Sequence, residues 1–289
     1  MPRLLVLLGT VAISFSAIFV RMADVSPSTA AFFRAAYATP VLFLGWLAIR
    51  RHDQRTRAER LLGLVAGVLL ALDFTFWHRA IEMIGAGLAT VLGNTQIAFV
   101  GIVGWLVLKE KPSRTALFIV PVMFLGVVLI SGLGRPDAYG QNPFMGVVYG
   151  VLTGITYAAF LLVFRNSNQR ALAPSVAPLF DATVGAAVGS LLFAVTDAEF
   201  SLAWSWPEHG WLITLALVSQ VLGWLMISSS LPRLPALETS IVLLTQPMLT
   251  VLWGALIFAE YLSPIQWTGV VFVLGGIATV SIFGASRAE

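Results

Sequence analysis

Polar landmarks recur 150 residues apart in a chain that is otherwise almost wholly apolar. Thr95-Gln96 returns as Thr245-Gln246, Gly104 as Gly254, Glu110 as Glu260, Ser113 as Ser263 and Gly126 as Gly276, all without a gap. The match runs further back, with Ala66, Val68 and Leu72 against Ala216, Val218 and Leu222, and Thr90 against Ser240. A shorter offset sets Phe33-Arg34-Ala35 against Phe180-Asp181-Ala182, a difference that one loop length absorbs. The pattern predicts two copies of one unit, residues 1–134 and 143–284.

The sequence between the landmarks decides the setting. Of 289 residues, 58% are hydrophobic and 11% charged, and the mean hydropathy is +0.89. A soluble core cannot absorb that much apolar surface, whereas a bilayer solvates it. Apolar runs of membrane-spanning length fall at 4–20, 28–49, 61–80, 86–108, 115–134, 143–164, 174–195, 210–231, 236–258 and 264–284. They lack the alternating pattern of a β-barrel. The expectation is an all-α membrane protein of ten transmembrane helices. An odd number of spans separates each landmark from its mate, so the second five-helix repeat is inverted relative to the first. Inverted repeats in a small polytopic protein are characteristic of transporters.

Basic residues orient the chain. With the N-terminus in the cytoplasm, thirteen of the seventeen Lys and Arg fall in inside segments, three (Arg21, Arg79, Arg135) fall outside, and Arg34 lies within a span. This positive-inside bias predicts a bacterial-type cytoplasmic (inner) membrane protein with both termini cytoplasmic. The basic clusters sit beside apolar runs, where they suit anionic lipid rather than nucleic acid. Asp197, Glu199 and Glu208 then share an outer loop with the interfacial anchors Trp204, Trp206 and Trp211. Pro2-Arg3 with Leu4 to Phe15 resembles a signal peptide with a weak cleavage site at Ser14-Phe15-Ser16-Ala17. Cleavage there would leave the halves unequal, contrary to the repeat. The absence of cysteine removes disulfides and thiolate metal sites.

The fourth and ninth spans end in Leu-Lys-Glu-Lys-Pro-Ser and Phe-Ala-Glu-Tyr-Leu-Ser-Pro, each followed by a glycine-rich span, and Arg34 sits in Phe-Phe-Arg-Ala. Over essentially its whole length the chain resembles the EamA family of the drug/metabolite transporter superfamily. That resemblance implies ten helices in two EamA repeats and export of small metabolites, often amino acids. Within the family the overall likeness is to YddG-type exporters of aromatic amino acids.

Ionisable groups inside spans need a partner or a wet cavity. Phe74, Trp77, His78 and Ile81 share one helical face, two aromatic planes and an imidazole suited to a planar substrate or to proton exchange. A His78 that merely meets interfacial water is the plainer alternative. Asp73 is either a proton or cation site or a structural partner. Arg34 and Asp181 occupy equivalent repeat positions at opposite depths, which argues against a direct pair. Arg34 either attracts a substrate carboxylate or ties helices together. Asn94, Gln96 and Gln246 are costly to bury alone, and Pro247 frees a backbone carbonyl upstream of it. Pro40 and Pro121 have the same potential.

The expected substrate-binding set is Phe74, Trp77, His78, Asn94, Gln96, Phe99, Tyr157, Trp224 and Gln246, with Arg34, Asp73, Asp181 and Pro247 as coupling or gating candidates. Glu110 and Glu260 fit helix capping better than coupling. Gly85-Ala86-Gly87 and Gly185 to Gly189 suit close helix contacts. They lack the context and the Lys of a phosphate loop, so no ATP-driven step is expected. No cofactor, metal, catalytic residue or obligate protein partner is expected either. The competing classes are a passive facilitator of the same fold, a lipid-active membrane enzyme, and a transporter of another metabolite or drug. A cationic substrate belongs to the last class. So does a nucleotide sugar, whose charge would call for more intramembrane cations than Arg34.

Overall fold

The computed structural model describes residues 2–106, 114–132, 136–167, 173–230 and 236–283. Glu110 and Ser113, landmarks of the first repeat, lie outside the described residues. The described elements are all helical: α1 (Pro2–Ser14), α2 (Ser16–Ala23), α3 (Pro27–Ile49), α4 (Arg57–Gly93), α5 (Gln96–Leu106) and α6 (Arg114–Ile130), then α7 (Pro143–Ser167), α8 (Val176–Ala194), α9 (Glu208–Thr214), a π-helical segment (Leu215–Gly223), α10 (Trp224–Ser230), α11 (Ala236–Phe258) and α12 (Pro264–Phe283).

Local signals set several of these boundaries. α3 opens with Ser26, whose hydroxyl accepts from the Thr29 N–H at 3.3 Å, and with Pro27 in the first turn. α4 opens with a capping box. The Thr56 hydroxyl accepts from the Glu59 N–H at 3.2 Å, and the Glu59 carboxylate accepts from the Thr56 N–H at 2.7 Å.

Among the described residues seven helical stretches are long and apolar enough to cross a membrane, and two shorter apolar helices cover Thr115–Ile130 and Val242–Phe258. The stretch Arg57–Val103 is 47 residues long. Straight, it would extend about 70 Å, more than twice a bilayer's hydrocarbon thickness. It folds back instead at Gly85, whose φ of +81° is glycine territory. A Cβ on Gly93 would lie 3.8 Å from Trp77 Cδ1, whereas sixteen residues of straight helix would separate them by about 24 Å. The two limbs of α4 therefore form a helical hairpin.

Small residues let the helices approach closely. A Cβ on Gly67 of α4 would come within 2.7 Å of Gly185 Cα and the Ala186 nitrogen of α8, and Gly189 packs on Ala71 and Val68. The landmark glycines Gly126 and Gly276 both sit on the crossing of α6 with α12. α1 runs parallel to α11, where the Thr250 hydroxyl donates to the Ser14 carbonyl at 2.9 Å and the Trp253 indole to the Ser14 hydroxyl at 3.0 Å. It runs antiparallel to α10, with Gly9 against Ile227 and Ile13 against Gly223. The start of α1 and the ends of α7, α10 and α12 thus share one face of the bundle, called here the N-terminal face.

Candidate functional site

A cavity of about 290 Å³ opens where the two halves of the chain meet. Arg34 reaches it from α3, and Leu70, Asp73, Phe74 and Trp77 from the first limb of α4. The second limb adds Thr90 and Gly93, the turn after it Asn94, and the start of α5 Gln96. Tyr157 arrives from α7, Trp224 and Ile227 from α10, Gln246 from α11, and Ile277 and Ser281 from α12. Since Ile227 and Ser281 lie in the last turns of their helices and Leu161 in the last two turns of α7, the cavity extends toward the N-terminal face.

Its charges are arranged unusually. The Arg34 guanidinium lies 4.1 Å from the centroid of the Phe74 ring and 5.6 Å from that of Trp77. Its Nε donates to Gln220 Oε1 at 3.1 Å, and its terminal nitrogens have no acceptor among the described residues. Asp73 lines the same cavity, is buried, and has neither a hydrogen bond nor an ion pair among those residues. A basic and an acidic side chain thus face one small space with no ion pair between them among the described residues. Gln96 Oε1 and Ser16 Oγ, also at the cavity, are buried and unpartnered. Asn94 is less free, because its amide donates to the Thr90 carbonyl at 2.8 Å. Buried polar atoms left in this condition are costly unless something else binds them.

Of the residues singled out from the sequence, Phe74, Trp77, Asn94, Gln96, Tyr157, Trp224 and Gln246 line this cavity, as do Arg34 and Asp73. Pro247 follows Gln246 inside α11. His78 and Phe99 go elsewhere. The His78 ring stacks on Phe74, its Nδ1 lies 3.2 Å from the Pro27 carbonyl, and it borders a separate polar cavity of about 430 Å³. That cavity also holds Arg21, Asp24, Glu82 and Glu199, and lies toward the opposite face. Phe99 packs edge-on against Phe124, with centroids 5.7 Å apart. Asp181 is turned away, bound to Arg55 at 2.8 Å and Arg60 at 3.4 Å. Gln220 and Ser16 were not singled out from the sequence.

The face opposite the N-terminus is sealed by buried polar side chains. Glu260 accepts from the N–H groups of Ala86 at 2.7 Å and Gly87 at 3.0 Å, at the start of the second limb of α4, and pairs with Arg21. It caps a helix other than its own. The turn glycines make room for it, since a Cβ on Gly85 would fall 2.6 Å from its carboxylate. Gln266 closes a second knot. Its oxygen accepts from the N–H of Tyr139 at 2.8 Å and of Ser263 at 3.1 Å, and its nitrogen donates to the carbonyls of Tyr139 at 2.9 Å and Ile130 at 3.3 Å. In the loop after α8, Asp197 accepts from Ser28 and from the Glu199 N–H, which hold its carboxyl below the ordinary range against a lesser opposing effect of burial; Arg79 adds its charge at 3.3 Å. Toward the N-terminal face, burial pushes the Asp53 carboxyl up, but the hydrogen bond and charge of Arg55 outweigh it and leave the group below its usual range. Among the described residues no cluster of His, Asp and Glu is placed to hold a metal ion.

Two segments, residues 2–132 and 144–282, match the model of the EamA-like transporter family. The chain belongs to that family. It is a multi-pass membrane transporter. Among relatives, the uncharacterized transporter sll1319 of Synechocystis is 26% identical over 218 residues, covering 74% of this chain and 64% of that one. The uncharacterized transporter YxxF of Bacillus subtilis is 21% identical over 264 residues, 89% of this chain and 82% of that one. PA1977 of Pseudomonas aeruginosa is 27% identical over 236 residues, 81% and 77% of the two chains. A solved crystal structure superposes with a TM-score of 0.61 over 96% of both chains at 13% identity, a likeness of fold alone.

Proposed function

We propose that this EamA transporter is a secondary carrier that exports amino acids, aromatic ones included, by alternating access through the central cavity. The observation that carries this reading is that Arg34 and Asp73 both line one cavity, with no ion pair between them, beside the walls formed by Phe74, Trp77, Tyr157 and Trp224. An amino acid presents a carboxylate to the first, an ammonium to the second and an apolar side chain to the walls. Gln96 and Ser16 offer further polar contacts. Counting the folded-back α4 as two passes and the two shorter apolar helices as one each, the chain makes ten passes, in two inverted repeats covering 1–134 and 143–284. With the termini in the cytoplasm, as the distribution of Lys and Arg favours, the cavity faces inward and the Glu260 knot is the closed outer gate of an inner-membrane exporter. Asp73 is the candidate for proton coupling.

The test is uptake of radiolabelled phenylalanine, tryptophan and threonine into proteoliposomes, with and without a pH gradient. Saturable uptake of the aromatic amino acids, abolished in a monodisperse Gln96→Ala/Gln246→Ala double variant, is expected. A well-folded wild type that takes up none of the three would refute the substrate class and leave the fold untouched.

A further inference from the structure

Gln220 lines neither of the two cavities described above, yet it holds a charged group of the central one. It is wholly buried, its Oε1 accepts from Arg34 Nε, and its Nε2 has no partner among the described residues. An amide that leaves one donor unpaired is costly in a membrane protein's interior unless its other end is needed. Its position is also unusual. Gln220 lies in the π-helical segment Leu215–Gly223, where the wider turn rotates side chains away from the directions an α-helix would impose. At the 150-residue offset its mate is Leu70, which sits in the α-helical first limb of α4 and faces the cavity directly. The second half of the chain thus puts an amide behind Arg34, where the first half puts an apolar wall.

The geometry points to Gln220 as the positioning residue that turns the Arg34 fork into the cavity and so makes the site selective for ligands bearing a carboxylate. This rests on the reading of the cavity given above. Two aromatic rings, Phe74 and Trp77, lie against the guanidinium, and Gln220 is its one hydrogen-bond partner, at Nε, among the described residues. With Nε occupied, the terminal nitrogens remain, and a guanidinium presents these to a carboxylate as a planar pair. Without the acceptor at position 220, Arg34 keeps its charge and its aromatic contact but loses the restraint on its rotation. The ammonium side of the site, Asp73, is on another helix and is untouched by that change.

The test is equilibrium binding to purified protein in lipid nanodiscs with three probes: phenylalanine, phenethylamine, which lacks the carboxylate, and 3-phenylpropionate, which lacks the ammonium. Wild type is expected to bind phenylalanine most tightly. In Gln220→Met, phenylalanine affinity is expected to fall about tenfold, toward that of phenethylamine, while phenethylamine binding stays within about twofold of wild type. Gln220→Glu keeps the size and the acceptor but neutralises Arg34 internally, and is expected to lose the preference for phenylalanine without weakening phenethylamine. If Gln220→Met fails to fold, Gln220→Glu carries the test. Wild-type selectivity in a folded Gln220→Glu, or an equal loss of both ligands in a folded variant, would overturn the positioning role alone. Wild type that binds none of the three probes would overturn the reading of the cavity, and this proposal with it.

Discussion

Replacing Glu260 with glutamine removes one charge from the knot that seals the face opposite the N-terminus. The carboxylate binds two backbone N–H groups, one on each oxygen, and pairs with Arg21. Glutamine keeps one acceptor oxygen and turns an NH₂ donor toward the other N–H, so one hydrogen bond becomes a donor–donor contact. A hydrogen bond to an ionised group contributes about 1.5–3 kcal/mol. The pair with Arg21, whose side chain is 33% exposed, adds at most about 1 kcal/mol after solvent screening. The sealed conformation should therefore lose about 2–4 kcal/mol relative to one in which the residue meets water. That raises the population open at this face by between about 30-fold and about 900-fold. The chain has no cysteine, so Thr90→Cys, one turn below the capped N–H groups and facing the cavity, is a unique reporter. In oriented proteoliposomes, a membrane-impermeant maleimide added at the face opposite the N-terminus should label it at least about tenfold faster with Glu260→Gln than without. An unchanged rate would refute the reasoning, because a seal that does not depend on its buried charge is held by something else.

Other outcomes follow from the same geometry. Gly67→Ala should destabilise the protein by about 1–3 kcal/mol, because its Cβ would meet the α8 backbone, whereas Gly101→Ala, with nothing within 4 Å, should be neutral or stabilising; thermal unfolding in one lipid mixture compares them. Asp197 is held below the ordinary carboxylate range in the folded protein. Its stabilising effect is therefore complete above the unfolded pKa and is lost as pH falls through the folded one. The stability difference between wild type and Asp197→Asn should be constant above about pH 5, shrink as pH falls below about 4, and disappear only once pH has passed the lower folded value and Asp197 is neutral in both states; a difference that vanishes near pH 6 would contradict this. Asp73→Asn should lower uptake of ammonium-bearing substrates about tenfold or more, and leave any residual uptake insensitive to a pH gradient; uptake assays at two pH values measure both.

Much of the architecture was legible because it is written in periods longer than a helical turn. Runs of spanning length gave the helices, and Gly126 and Gly276, picked out as repeat mates, prove to share one crossing. The spacing of Phe74, Trp77, His78 and Ile81 does define one face, yet that face is wider than the cavity. Phe74 and Trp77 line the central space, while His78 and Ile81 border the polar cavity beyond it. Spacing alone cannot divide a face between two cavities. In the sequence Gly85 has the look of a packing glycine, but its positive φ makes it the turn of a hairpin. Glu260 looked like a cap at its own helix end. Besides Arg21, its partners are backbone N–H groups 173 and 174 residues earlier, which carry no side-chain signature. Gln220 was invisible for a related reason, since the pattern of an apolar run does not disclose a π-helical turn.

The central claim is that a zwitterion is carried through the space between Arg34 and Asp73, and counterflow tests it most directly. Proteoliposomes loaded with unlabelled phenylalanine would be diluted into a trace of the labelled compound. The account predicts a transient accumulation of label above equilibrium with wild type, abolished in a monodisperse Arg34→Met variant. Undiminished counterflow in Arg34→Met, or none from a folded wild type, would contradict it.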